Sequence, residues 1–167
     1  PGENLSASEY LRRHLPMQED NHAVIGGPCH AEEVAMERKT YVTIASRNSK
    51  LAEQLAGAMK PHYIQTVLND DPNGVEYAAI LKNIIGLASG MAHGLNYGDN
   101  FQAVLVSNAF IEIKNFLARL DDTNRDLSES AYFGDLLVTA YSPFSRNRTF
   151  GQMIGRGYSV QAAKMQM

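Results

Sequence analysis

The strongest pattern of apolar and small positions runs from Gly74 to Tyr97 and predicts one long helix. Gly74, Ala78, Gly86, Gly90, Gly94 and Gly98 recur on a four-residue step, and the one large member of that row is Lys82. Such a row lies along one side of a helix. Each glycine costs about 1 kcal/mol relative to alanine in a helix interior. Four of them therefore imply close approach of another backbone, or of a ligand, to that side. Lys82 followed by the carboxamide of Asn83 is the most chemically suggestive local arrangement in the chain.

Before this helix the pattern alternates. Residues 3–15 read as a short amphipathic helix, capped by Ser6 or Ser8 ahead of Tyr10, Leu11 and Leu15. His22 to Ile25 is a short apolar strand, Gly26-Gly27-Pro28 a sharp turn, and Ala31 to Arg38 a helix with Glu32 and Glu33 in its first turn. Residues 41–46 read as a strand, 48–59 as an amphipathic helix and 62–68 as a third strand. Helices separate every strand pair, so parallel strands with helical crossovers are expected rather than a hairpin. The cluster 70–74 (DDPNG) marks a boundary, after which strand signals stop. A break at 97–100 precedes a second long helix, Phe101 to Leu120, and a loop at 121–126. Residues 127–142 are helical with an interruption at Phe133-Gly134-Asp135, and a last helix is capped near Ser145 and stopped by Gly155 and Gly157. The expected fold is the end of an α/β domain over residues 1–71, followed by an all-α domain over 72–167.

Composition narrows the picture modestly. An apolar content of 44% and a charged content of 20% are those of an ordinary globular protein. A net charge of -3 argues against nucleic-acid binding by bulk electrostatics. The single cysteine, Cys29, forbids an intrachain disulfide and fits a reducing, cytoplasmic setting. No signal peptide is visible and no apolar run approaches the roughly 20 residues of a membrane helix, so membrane insertion is not expected. The chain opens on a loop-like PGEN at Pro1 and closes at Met167 without a helix stop signal, which reads as an internal fragment of a longer protein.

Four features can carry chemistry. Lys82 sits on a helix that is apolar or small on most sides, where a lysine can give up a proton or hold an anionic substrate; a solvated surface lysine is the plain alternative. Ser145-Arg146-Asn147-Arg148 at a helix start combines free N–H groups with two forked cations and makes a phosphate cradle, or else a serine cap with two solvated arginines. Asp135, after Gly134, either caps the helix it precedes or anchors the Lys82 ammonium; alone, the cap is the simpler reading. Gly26-Gly27-Pro28-Cys29-His30-Ala31 is a strand, turn and helix start, but not the spaced dinucleotide fingerprint. Adjacent Cys29 and His30 are poor chelators, and no metal is expected. His93 reads as a packed or capping histidine.

Taken together and in order, GGPCHAEEVA, GVEYAAILKNIIGLASGMAHGLNYGDN and GDLLVTAYSPFSRNRTFG resemble the NAD(P)-dependent glycerol-3-phosphate dehydrogenase family of bacterial type. The resemblance spans nearly the whole chain. It implies a Rossmann-like domain followed by a helical substrate-binding and dimerisation domain. It also implies hydride transfer between NAD or NADP and a small phosphorylated substrate, interconverting dihydroxyacetone phosphate and sn-glycerol 3-phosphate for glycerophospholipid synthesis. By this resemblance Lys82 matches the catalytic acid/base. Asp135, Ser145, Arg146 and Asn147 match substrate-binding positions, with Arg146 also near the cofactor. Gly27 and Cys29 match a substrate-touching turn, with Cys29 departing from the usual hydroxyl residue, and Ala31 matches a cofactor-touching position. The family's GxGxxG turn would lie upstream of Pro1 and a Val-Glu-Gly stretch beyond Met167, so these residues alone are not expected to bind dinucleotide tightly or to turn over. A homodimer is implied. The competing readings are a hydroxyacid or ketopantoate-type reductase of similar plan, and a non-catalytic helical interaction module whose glycine row is a packing surface.

Overall fold

The computed structural model describes residues 5–16, 20–59 and 61–167. The PGEN start lies outside them. Helix α1 (Ala7–His14) opens with a reciprocal cap: Glu9 N–H donates to Ser6 Oγ and Ser6 N–H donates to the Glu9 carboxylate. Strand β1 (Val24–Gly26) leads through the glycine turn into helix α2 (Ala31–Ala35). Strand β2 (Thr40–Ala45), helix α3 (Ser49–Ala58, capped by Asn48) and strand β3 (Ile64–Asn69) follow. The sheet order is β1-β2-β3.

One expectation fails here. β2 and β3 are parallel, but β1 runs antiparallel to β2, with Ile25 opposite Ile44. A parallel crossover must carry the chain back along the full strand. The ten residues of α3 do this, at about 1.5 Å of rise per residue. The five residues of α2 do not. The chain instead reverses near Glu37, which adopts a left-handed φ of 55°. Ile44, Ala52 and Ala56 form a small core between the sheet and α3.

The second half is helical, as its periodicity predicts. Helix α4 (Pro72–Gly94) begins within the expected boundary cluster: Asp71 Oδ1 accepts from Gly74 N–H at 2.9 Å and Pro72 occupies the first turn. Helix α5 (Gly98–Leu120) starts inside the segment read as a break, after Asn96 turns the chain at φ 60°. Residues 130–134 are a π-helical turn that runs straight into helix α6 (Asp135–Tyr141), so the expected interruption is a widening of one helix. Helices α7 (Arg146–Gly155) and α8 (Val160–Met165) complete the chain. Val75, Val106, Ile113, Leu117 and Leu136 centre the main core. Gln102 ties three helices together, donating to Ser89 Oγ at 2.6 Å and to the Ala140 carbonyl at 3.2 Å. No helix among the described residues is long and apolar enough to cross a membrane.

The glycine row on α4 faces α7. A Cβ at Gly90 would run into the Arg148 carbonyl, and one at Gly94 into that of Gln152. From the other side, Gly151 lies on the Leu87 carbonyl and Gly155 on that of Met91. The two backbones touch with no side chain between them. Gly86 meets the Thr139 methyl of α6. The row is therefore an interlock within the helical half. His93, read as packed or capping, is exposed and lies in the last turn of α4.

At the base of α4 a buried charge network fixes the loop after α5. Arg125 donates through Nε and Nη2 to Asp71, through Nη2 to Asp121 at 2.6 Å, and through Nη1 to the Leu117 carbonyl at 2.8 Å. Tyr132 Oη donates to Asp71 at 2.9 Å. Burial, reinforced by the Asp71 charge, pushes the Tyr132 phenol well above its usual pKa, so it remains a donor.

Gly90→Ala should lose about 3 kcal/mol of unfolding free energy, because the neighbour it strikes is backbone that cannot swing aside. Gly57→Ala, on α3 with nothing within 4 Å, should be neutral or gain up to about 1 kcal/mol. Urea denaturation of the two variants checks the interlock.

Candidate active site

α4 carries Lys82 one turn before Gly86, on the side where α6 begins. Its Nζ lies 2.6 Å from both Asp135 Oδ1 and Asp135 Oδ2. Asp135 is the first residue of α6, yet its carboxylate takes no cap bond. The simpler cap reading is thus replaced by the anchoring one. The Asp135 side chain is only 2% exposed and that of Lys82 21%, so the carboxylate is interior while the ammonium reaches an opening.

That opening is a cleft of about 390 Å³. Lys82, Asp135, Gly26, Gly27 and Cys29 line it, together with apolar Ile25, Val42 and Ala79. Gly27 has φ 112°, and a Cβ there would sit 3.1 Å from the Tyr41 carbonyl oxygen. Only glycine closes the turn tightly enough to bring Cys29 to the cleft. Burial pushes the Cys29 thiol up from its ordinary pKa; Asp135 adds to this and Lys82 opposes it. The side chain is therefore a neutral thiol at neutral pH.

The start of α7 lies alongside. Asn147 Nδ2 donates to Asn83 Oδ1 at 2.9 Å, and Asn83 Nδ2 donates back along α4 to the Ala79 carbonyl at 3.0 Å. Asn147 is thereby tied one residue from Lys82. Ser145 is buried and its Oγ accepts from Arg148 N–H at 3.3 Å, so it is the cap of α7. Arg146 is exposed and its Nη2 lies 3.5 Å from the Met167 carbonyl oxygen. Ala31 is exposed at the start of α2.

Gly27, Cys29, Lys82 and Asp135 thus line one cleft, and Arg146 and Asn147 line a second. Ser145 and Ala31 line neither. Sequence reasoning missed the Arg125–Asp71–Tyr132 network, because Arg125 sits in a polar segment indistinguishable from a solvated loop. It also missed the environment of His30, whose Nε2 is buried without a partner and whose ring lies 6.0 Å from that of Phe144, just before α7.

Residues 71–167 match the family described as NAD-dependent glycerol-3-phosphate dehydrogenase C-terminus, and residues 1–52 match its N-terminal counterpart. A glycerol-3-phosphate dehydrogenase [NAD(P)+] of Leifsonia xyli subsp. xyli is 34% identical over 99% of this chain and 45% of its own length. The Lysinibacillus sphaericus protein of the same name is 38% identical over 96% of this chain and 48% of its own. The crystal structure of glycerol-3-phosphate dehydrogenase from Coxiella burnetii superposes with a TM-score of 0.83 at 34% identity, covering 86% of this chain and 44% of that one. A Plasmodium falciparum structure shares the fold at a TM-score of 0.84 and 22% identity, covering 96% of this chain and 45% of that one. The chain spans about half the length of the curated relatives it matches. It belongs to the NAD-dependent glycerol-3-phosphate dehydrogenase family.

Proposed function

We propose that the chain is part of an oxidoreductase that interconverts dihydroxyacetone phosphate and sn-glycerol 3-phosphate by hydride transfer with NADH or NADPH, supplying glycerol phosphate for glycerophospholipid synthesis. The observation that carries this reading is the Lys82–Asp135 pair in the lining of a mostly apolar cleft. An ammonium has three N–H donors. Asp135 takes two of them, holding Lys82 in one orientation with its last donor available to the opening. When a carbonyl carbon is reduced, negative charge builds on its oxygen, and Lys82 neutralises it by donating that proton. In the reverse direction Lys82 takes the proton from the hydroxyl, and Asp135 steadies the ammonium that results.

A cleft lined by apolar side chains beside Lys82 and Asp135 suits the ring of a nicotinamide. The Gly26-Gly27-Pro28 turn does not fit a pyrophosphate, because the side of Gly27 left open by its missing Cβ is filled by the neighbouring strand. When bound, the reduced nicotinamide supplies the hydride. In this reading Ala31 borders the cofactor, and Gly27 and Cys29 border the substrate, with Cys29 offering a thiol where a hydroxyl is usual. Arg146 and Asn147 hold the phosphate, with Ser145 capping the helix that carries them. Binding a handle that does not react orients the one that does.

We further propose that residues 1–71 belong to the dinucleotide-binding domain and 72–167 to the helical substrate domain, a division supported by the family match that starts at residue 71. A cytoplasmic homodimer completes the reading. Exposed Val104, Ile111 and Phe116 on α5 support the dimer.

In the full-length enzyme, Lys82→Ala should lower kcat for dihydroxyacetone phosphate on the order of 10³-fold, with unchanged far-ultraviolet circular dichroism. Retained turnover would sink the acid/base role and favour a non-catalytic helical module. Arg146→Ala should raise KM for the phosphorylated ketone; an unchanged KM would point to a substrate without a phosphate handle. Iodoacetamide should modify Cys29 more slowly than free cysteine at neutral pH. Asp135→Asn should accelerate that reaction, since it removes a charge that disfavours the thiolate and leaves Lys82 to favour it. A pH series of alkylation rates reads the shift directly. Sedimentation velocity on the full-length protein should give a dimer, and Ile111→Asp should shift it toward monomer.

A further inference from the structure

The two elements that carry Lys82 and Asp135 are joined a second time, away from the cleft. Asp71 caps α4, and Lys82 stands about three turns further along the same helix. The Asp71 carboxylate accepts from Tyr132 Oη at 2.9 Å, and Tyr132 lies in the π-helical turn that runs straight into Asp135 and α6. One tie leaves two packed elements free to pivot about it; two ties set their register. The lower tie is itself held. Arg125 donates to the same Asp71 carboxylate. Asn69 Oδ1 accepts from Asp71 N–H at 2.7 Å, and Asn69 Nδ2 donates at 2.9 Å to Glu129, the residue that leads into the π-helical turn. Asn69, Asp71, Arg125 and Tyr132 do not line the Lys82 cleft, so they act on it only through the elements they hold. The Tyr132 ring is buried, and phenylalanine would fill the same space. The hydroxyl serves only the bond to a carboxylate that Arg125 already neutralises.

We propose that the Tyr132–Asp71 bond sets the orientation of the Lys82–Asp135 pair, which makes Tyr132 a positioning residue for the reaction. Without that bond the π-helical turn and the start of α6 rock on α4. Asp135 moves with them, and the donor that Lys82 keeps for the cleft is no longer aimed in one direction. A displacement of about 1 Å at a reacting group can cost on the order of a hundredfold in rate. Loss of one hydrogen bond in a packed element moves Asp135 by less than that and costs correspondingly less. The inference deepens the proposed function and rests on it for the role of Lys82.

The test uses the full-length enzyme with Tyr132→Phe, which removes the hydroxyl and leaves the ring packed. Its kcat for dihydroxyacetone phosphate should fall about five- to tenfold, with KM within about twofold of wild type. The solvent deuterium isotope effect on kcat should rise, because proton donation by Lys82 becomes the slower step. The comparison is Gln54→Gly, at an exposed position of α3, where glycine loosens a helix that carries neither member of the pair. It should lower the melting temperature and leave kcat and the isotope effect unchanged. Should Tyr132→Phe not fold, Glu129→Ala releases Asn69 at the partly exposed end of the network and is read by the same criteria. A wild-type kcat and isotope effect, or a loss that Gln54→Gly reproduces at a matched melting temperature, overturns the proposal. A second readout needs no turnover: Cys29 lines the same cleft and its thiol feels both Asp135 and Lys82. Its alkylation rate should change about twofold or more in Tyr132→Phe and stay constant in Gln54→Gly. If Lys82→Ala retains turnover while Tyr132→Phe still alters alkylation, the acid/base role fails and the positioning stands. If Lys82→Ala abolishes turnover while Tyr132→Phe alters neither kcat nor alkylation, only the positioning fails.

Discussion

The contact between the backbones of α4 and α7 is the constraint on which the site depends. A helix pair separated by ordinary side chains stands 8–10 Å apart, axis to axis. With glycine on both sides at Gly90, Gly94, Gly151 and Gly155, the carbonyls of one helix meet the α-carbons of the other. This approach brings Asn147, in the first turn of α7, within a hydrogen bond of Asn83, one residue from Lys82. Any Cβ in the seam would push the helices apart and separate Asn147 from Asn83. The conformational cost of the glycines is offset by this registration.

Two charge pairs flank the main core, and the way they use their donors separates their roles. Arg125 places donors on Asp71, Asp121 and the Leu117 carbonyl, and its side chain is only 4% exposed. Burial works against its charge, but the bonds from Asp71 and Asp121 outweigh that and hold its pKa above the ordinary value. Such a saturated, enclosed group has nothing left to offer a ligand, and it pins the start of α4 to the loop after α5. Lys82 is the opposite case. Its partner's side chain is just as deeply enclosed as that of Arg125, yet the ammonium remains partly open with a donor unspent. The same chemistry, a cation on a buried carboxylate, is saturated in one place and leaves a donor beside a cleft in the other.

How much of this was legible in the sequence follows from the range of each interaction. Helix positions and caps are local: Ser6, Asn48, Asp71 and Ser145 each sit within three residues of the N–H they cap, and all mark true starts. The four-residue glycine row announced a close approach, although only the fold could say that α7 makes it. The direction of β1 was not legible. The alternation of strand and helix hides whether a short helix is long enough to return the chain, and α2 is not. Asp135 looked like a cap because helix starts favour aspartate; the π-helical turn before it removes that role and leaves the carboxylate for Lys82, 53 positions away in sequence. Arg125 was hidden for the same reason, since its Asp71 partner is 54 positions distant.

The turn from Gly26 to His30 joins these threads. Its tightness, set by Gly27 against Tyr41, carries Cys29 to the cleft and His30 to Phe144. A buried nitrogen without a hydrogen-bond partner costs on the order of 1–3 kcal/mol, and His30 Nε2 is such a nitrogen. An apolar ring would make the same contact with Phe144 without that cost, so local stability does not account for histidine here. What the ring does supply is a tie between the two sides of the site. It links the turn that bears Cys29 to the loop that leads into Ser145 and Arg146. The seam of glycines sets α7 against α4, and the His30–Phe144 contact sets it against the sheet. Between them, the helix start that carries Arg146 is held from two sides.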